Sequence, residues 1–298
     1  MSLLGALLVV LSALCHASWN LVSKSDGDPV RFIRTSLRYS TLCYLPLFLL
    51  MQPFVNYAPG YLLSAVCSGV LVAFYFYALS RAYQHGDVSV AYPLARGLPV
   101  FLMVWVALCL GEELSLTGLA GILLILCGCF VVPLSRFTFS IGSFWSAGYF
   151  NRSCCWAGFS AIMTCAYTLV DKSASATMPI FPLSLAIVTK VNYVYMQNTI
   201  AWMFMEFTVP VSSSLSKQGN NVVNPRELYA GLVFLISYSL VLAALAMDSA
   251  AYVMSFRLVS IIITSVVSMI WIEQHFSRPR LLGVLLIFAG VVLIGQTA

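Results

Sequence analysis

The chain has 298 residues, of which 61% are hydrophobic and only 8% charged, and its mean hydropathy is +0.94. Water cannot solvate such a surface, so a soluble globular domain is excluded and a membrane protein is implied. The net charge of +5 comes from basic residues scattered among short connections, which gives no nucleic-acid-binding patch.

A helical span needs about 20 largely apolar residues to cross the hydrocarbon. The sequence predicts ten such spans, at about 2–23, 32–51, 60–83, 88–110, 115–134, 153–173, 180–206, 227–247, 251–272 and 280–296. The first lacks a basic leading segment and runs straight into a second hydrophobic stretch, so it is read as a span retained in the mature protein. The polar stretch 211–226, rich in Ser, Asn and Gln, is too short to fold alone and reads as the loop after the seventh span. The cysteines fall mostly inside apolar segments without a CxxC pair, so neither disulfides nor a zinc site is expected.

Basic residues fall in alternate connections. Odd-numbered loops carry Lys24, Arg31, Arg34, Arg81, Arg136, Arg152, Lys217, Arg226, Arg278 and Arg280, while even-numbered ones carry Lys172. By the positive-inside rule the odd loops face the cytoplasm, with both termini outside.

The pattern runs twice. ASWNLVSK (Ala17 to Lys24) is echoed by CAYTLVDK (Cys165 to Lys172), and Ser12, His16, Trp19 and Ser23 correspond to Ser160, Thr164, Tyr167 and Asp171. Spacings of three and four put each set on one helix face. VSVAYP, which holds Tyr92, is echoed by DSAAYV, which holds Tyr252; Gly121 and Gly128 are echoed by Gly283 and Gly290. These divide the chain into a first five-helix repeat (1–135), a connecting loop (136–151) and a second five-helix repeat (152–298). An odd number of spans per repeat inverts the second copy, and inverted repeats hold substrate near the midplane between the halves.

Several segments carry a family resemblance: HASWN (His16 to Asn20), GDVSVAYPLARG (Gly86 to Gly97), LGEELSLTGLAGILLILCG (Leu110 to Gly128) and RPRLLGVLLIFAGVVLIG (Arg278 to Gly295). Together they resemble the EamA-type branch of the drug/metabolite transporter (DMT) superfamily. The resemblance implies an all-α membrane protein of ten transmembrane helices, built as two inverted repeats around a central cavity lined by helices one, three, four, six, eight and nine. It also implies cytoplasmic termini, against the charge count.

Ionisable residues inside a bilayer are functional candidates by default. Lys190 lies about ten residues into span seven, on a face with Tyr193 and Gln197. Arg257 heads a stripe with Ser260 and Thr264. Tyr92 and Arg96 share a face of span four, where Gly97 and Pro99 can free backbone carbonyls. With His16, Trp19, Asn20, Tyr167 and Tyr252, these are the expected substrate-binding residues. The acids fall near segment ends, which leaves a net positive cavity that arginine would use to grip a carboxylate.

The expected function is secondary transport of a small anionic or zwitterionic metabolite by alternating access. The alternative is proton-coupled export of neutral or cationic compounds, with channel or membrane-enzyme readings weaker still. No Walker A or HExxH pattern is present, and no catalytic residue, cofactor or metal is expected. His16 is the candidate proton carrier. Lipid is a partner, a proton or counter-substrate is admitted, the small glycines admit a homodimer, and a bacterial cytoplasmic membrane is the expected location.

Overall fold

The computed structural model describes residues 2–23, 28–85, 88–109, 114–132, 151–180, 182–209, 223–263 and 278–296, with 88–93 described by backbone alone. It is all-α, with no strand among these residues. Ten helices follow in chain order: α1 (Leu3–Ser23), α2 (Pro29–Met51), α3 (Tyr61–His85), α4 (Val88–Cys109), α5 (Leu116–Val131), α6 (Arg152–Thr177), α7 (Leu183–Thr208), α8 (Pro225–Leu245), α9 (Ala250–Phe256) and α10 (Arg278–Gly295). Each predicted span but the ninth falls on one helix. Five of them, α1, α3, α6, α8 and α10, are long and apolar enough to cross a membrane, which makes this a multi-pass membrane protein.

Local chemistry starts the helices. The Asp28 carboxylate accepts from the amides of Val30 and Arg31 ahead of Pro29, Ser115 from Gly118, Asn151 from Cys154 and Asn224 from Arg226 beside Pro225. Such caps satisfy amides that the first helical turn leaves open. Polar stripes on α1 and α6 face inward. On α1, Ser12, His16, Trp19 and Ser23 are buried while Leu7, Leu11 and Leu14 are about half exposed. The matching stripe of α6, Ser160, Thr164, Tyr167 and Asp171, is buried too. In lipid the hydrophobic effect does not drive helices together, so close packing and interhelical hydrogen bonds must.

Both are present. Gly121 meets Gly290 and Gly128 meets Gly283 across α5 and α10: a methyl added to Gly290 would lie 2.4 Å from the Gly121 carbonyl oxygen. Numbers rise along one helix as they fall along the other, so the pair is antiparallel, and these glycines pack within one chain. Ser12 Oγ donates to the Ser237 carbonyl at 2.7 Å and Tyr229 to Ser18 at 2.8 Å, tying α1 antiparallel to α8. Likewise Ser153 Oγ donates to the Ala82 carbonyl at 2.7 Å and Phe74 meets Phe159, tying α6 antiparallel to α3. The main neighbours are α6 with α3, α10 with α5, α1 with α8, α7 with α3, α2 with α8, α4 with α6 and α2 with α7. Exchanging each helix of the first five with its counterpart in the second maps these pairs onto one another or themselves, except α4 with α6, whose counterpart, α9 with α1, is a lesser contact.

One element departs from the predicted span. α9 stops at Phe256, Arg257 and Leu258 form a turn, and the helix resumes over 259–263. There the amides of Leu258, Ser260 and Ile261 reach back only three residues, to Ser255, Arg257 and Leu258. Residues 264–272 of the predicted ninth span lie outside the described residues.

Candidate functional site

The tied helices leave a small cavity between the two halves. Its wall is formed by His16 and Trp19 of α1, Val72, Tyr75 and Phe76 of α3, Tyr167 of α6, Gln197 and Asn198 of α7, Phe234, Ser237 and Tyr238 of α8, and Arg257 at the break after α9. Its volume is about 40 Å³, far below the roughly 300–1,000 Å³ of a small-molecule pocket. A metabolite enters only after the walls separate.

The wall is aromatic and rigid. Trp19 meets Phe234 edge-on at 4.8 Å and Phe76 at 6.5 Å, Phe76 stacks on Phe234 at 5.3 Å, and Tyr167 lies between Tyr75 (5.6 Å) and Tyr238 (5.7 Å). Such offset and edge contacts hold rings in place at distances where their quadrupoles attract. The Trp19 indole donates to His16 Nδ1 at 3.2 Å. A neutral imidazole that accepts at Nδ1 carries its proton on Nε2, and His16 Nε2 is buried with no partner among the described residues.

Arg257 is 6% exposed. Its guanidinium lies 5.7 Å from the Tyr238 ring, donates to the Tyr167 hydroxyl and brings Nη1 to 3.5 Å from the Met254 sulfur, a soft acceptor. Among the described residues no carboxylate forms an ion pair with it. Arg96, on α4, is also buried, and both arginines are close enough to His16 to act on it electrostatically.

Next to the cavity is a carboxylate that sequence reasoning put elsewhere. Asp171 is fully buried and accepts from Tyr193 Oη at 2.8 Å, from Gln197 Nε2 at 3.1 Å and from Tyr238 Oη. Gln197 Nε2 also donates to Ser68 Oγ at 2.5 Å. The expectation that the acids sit near segment ends fails here because α6 continues to Thr177, four residues past its predicted end, which draws Asp171 into the bundle. Its place on the buried stripe with Tyr167 was the available signal.

The expected site residues divide. His16, Trp19, Tyr167, Gln197 and Arg257 line the cavity, and Tyr193 joins it through Asp171. Asn20 is buried one turn along α1, where its Nδ2 donates to the His16 carbonyl at 2.7 Å, and Ser260 is buried just past the helix break. Lys190 is elsewhere: its ammonium donates to the Pro179 carbonyl at 3.0 Å, the flexible stem carrying the charge back toward the connection before α7. Tyr252 is elsewhere too, its ring against Gly118 and its hydroxyl 3.3 Å from Ser115 at the start of α5. Tyr92, on 88–93, and Thr264 lie outside the residues whose side chains are described. Sequence reasoning missed Tyr75, Phe76, Asn198, Phe234, Ser237 and Tyr238, because aromatic and small residues inside an apolar span look like lipid-facing filler.

Each end of the bundle is fastened. At one, Lys172 donates to the carbonyls of Leu245 (2.8 Å) and Asp248 (2.5 Å), and the Asp248 carboxylate accepts from Ser2. At the other, Arg31 pairs with Glu227 at 3.3 Å and Arg34 with Glu206 at 3.5 Å. Among the described residues no cluster of His, Cys, Asp or Glu could hold a metal.

A membrane-embedded helical bundle with a polar and aromatic cavity between its halves is the class of protein these features define. The EamA-like transporter family matches residues 3–134, so this part of the chain is an EamA-like transporter domain. No curated protein matches the sequence. A solved crystal structure matches in fold over 99% of both chains, with a TM-score of 0.67 and 15% identity.

Proposed function

We propose that the protein is a secondary transporter of a small carboxylate-bearing metabolite, anionic or zwitterionic, that works by alternating access. The observation that carries the substrate class is Arg257: a buried guanidinium on the wall of the cavity, in ion-pair contact with no carboxylate of the described chain. A planar fork of donors in such a place fits an incoming carboxylate through two parallel hydrogen bonds. The aromatic wall would cover the rest of the ligand, and His16 Nε2 supplies one further donor.

Alternating access draws support from the neighbour pattern, most of which survives exchange of the two sets of five helices, and from the antiparallel course of α5 and α10. Two inverted repeats of five helices, over 1–135 and 152–298, would produce both features. Rocking of one repeat on the other would enlarge the cavity toward each side in turn. The Lys172 cluster and the Arg31–Glu227 pair are the closures that such motion has to release.

A second reading keeps one specific observation in its favour. The ring-lined wall with Asp171 behind Tyr238 also fits an ammonium group, which rings attract through their faces. A zwitterion uses both features, whereas a simple cation must sit beside Arg257.

The test is a thermal-shift screen of detergent-purified protein against metabolites grouped by charge, run on wild type, Arg257→Gln and Lys190→Ala. Stabilisation by carboxylates in wild type and Lys190→Ala, lost in Arg257→Gln, supports the reading. Stabilisation by amines alone, or a response that Arg257→Gln leaves intact, refutes it.

A further inference from the structure

We propose that Asp171 is a proton-binding site, loaded from the cavity through the Tyr238 hydroxyl, whose protonation state drives substrate movement; this rests on the transport reading above. Asp171 has no exposure, and it sits six residues before the end of a helix long and apolar enough to span the membrane. A carboxylate in such a place is expensive unless neutralised or fully hydrogen-bonded. Its partners decide which. All are neutral: Tyr193, Tyr238, Gln197 and Ser68.

That choice of partners is the central point. A lysine or arginine would hold the carboxylate permanently ionised, since neither can accept a hydrogen bond. A tyrosine hydroxyl both donates and accepts. With Asp171 ionised, Tyr193, Tyr238 and Gln197 all donate to it. With Asp171 protonated, its new O–H donates to one of the two tyrosine oxygens, which turns its own proton elsewhere. Both charge states are therefore satisfied by the same side chains, as a site that must load and unload a proton requires.

The charged and titratable surroundings fit. Lys172, the next residue, directs its ammonium to the Leu245 and Asp248 carbonyls. On α7 the facing titratable group is Tyr193, with Tyr61 of α3 behind it at 5.4 Å. On α8 it is Tyr238, and Arg257 lies on that same ring. Tyr167 of α6 is next to Tyr238 and to Tyr75 of α3, and Arg96 of α4 and His16 of α1 are further charged and titratable groups around the cavity.

The route is short. Tyr238 lines the cavity and its hydroxyl donates to Asp171 Oδ2. A hydronium in the cavity gives its proton to Tyr238 Oη as the original Tyr238 proton passes to Oδ2. One O–H bond breaks and one forms at the tyrosine, which ends neutral; the carboxylate becomes a carboxylic acid and the hydronium becomes water. Neutralising Asp171 removes the negative charge on the far side of Tyr238 from Arg257, so the guanidinium attracts a carboxylate ligand more strongly. Proton and carboxylate then bind together, and linkage makes each favour the other equally.

Infrared difference spectroscopy of the full chain in lipid, titrated with acid and no ligand, tests the proton site. Wild type gains a reversible protonated-carboxyl C=O band, Asp171→Asn lacks it, Tyr238→Phe shifts it to higher frequency because one hydrogen bond is gone, and His16→Gln keeps it unchanged. A band identical in wild type and Asp171→Asn, or unmoved by Tyr238→Phe, overturns the proposal; the tyrosine variant retains the carboxylate and serves if Asp171→Asn fails to fold. Coupling is read with a pH-sensitive dye in weak buffer, using a carboxylate that stabilises wild type: proton uptake on binding supports it, and release or no change overturns it. If no carboxylate stabilises the protein, the transport reading falls while the infrared titration still decides the proton site.

Discussion

Replacing Gly290 by alanine tests how closely α5 and α10 approach. The added methyl would lie 2.4 Å from the Gly121 carbonyl oxygen, 2.7 Å from Ile125 Cγ1 and 3.0 Å from the Ile125 nitrogen, where ordinary contact starts at 3.4 Å. Relief needs the helices to part by about 1 Å, and a gap of that size forfeits a quarter to a half of the dispersion attraction between facing atoms. The nearest obstacle is a backbone carbonyl oxygen, which cannot turn aside as the Ile125 side chain could. The expected cost is about 1–3 kcal/mol. Gly158→Ala on α6 is the control, since nothing lies within 4 Å of its added methyl, and its effect should stay within about 0.5 kcal/mol. Thermal unfolding in one detergent at one protein concentration compares the two. Adding Gly121→Ala to Gly290→Ala should cost less than the sum of the singles, because both open the same gap. A Gly290→Ala protein as stable as Gly158→Ala would refute the close approach.

Other expectations follow from particular contacts. Arg31→Met removes the guanidinium 3.3 Å from the Glu227 carboxylate, which is 5% exposed, and should lower stability by about 1–2 kcal/mol. Arg34→Met should change it by less than about 0.5 kcal/mol, since Glu206 is 43% exposed and such pairs contribute little; unfolding midpoints of the two variants compare them. Asn151→Ala removes the side chain that accepts from the Cys154 amide at 2.9 Å and should cost about 1 kcal/mol in the same assay. With Asp171 as the proton carrier, His16→Gln should preserve the pH dependence of transport in proteoliposomes, and its loss would return that role to the histidine.

Much of the architecture was legible because a bilayer leaves so few choices: a backbone in hydrocarbon must bond to itself, and long apolar runs become helices. The stripes on α1 and α6 were legible for a related reason, since polar residues at helical spacing have only the interior to face. The break at Arg257 was not. SFRLVS contains neither glycine nor proline, so no local residue announces a turn, and the packing around α9 decides it. Lys190 misled through the length of its stem: depth in the span located its Cα, but the ammonium is carried back to Pro179. Asp171 misled in the opposite sense, its helix extending four residues past the predicted end and drawing inward an acid that looked peripheral.

The narrowness of the cavity bears on how inhibitors of this protein are to be found. A space of about 40 Å³ gives a drug-sized compound no foothold, so screening by shape against this conformation selects for the wrong property. Useful compounds would wedge one mouth apart and stay there, and their potency would reflect the work of prising the walls open as much as the contacts made inside. Trapping the chain open on one face, for instance with an antibody fragment raised against that face, would supply a better target than the narrow conformation described above.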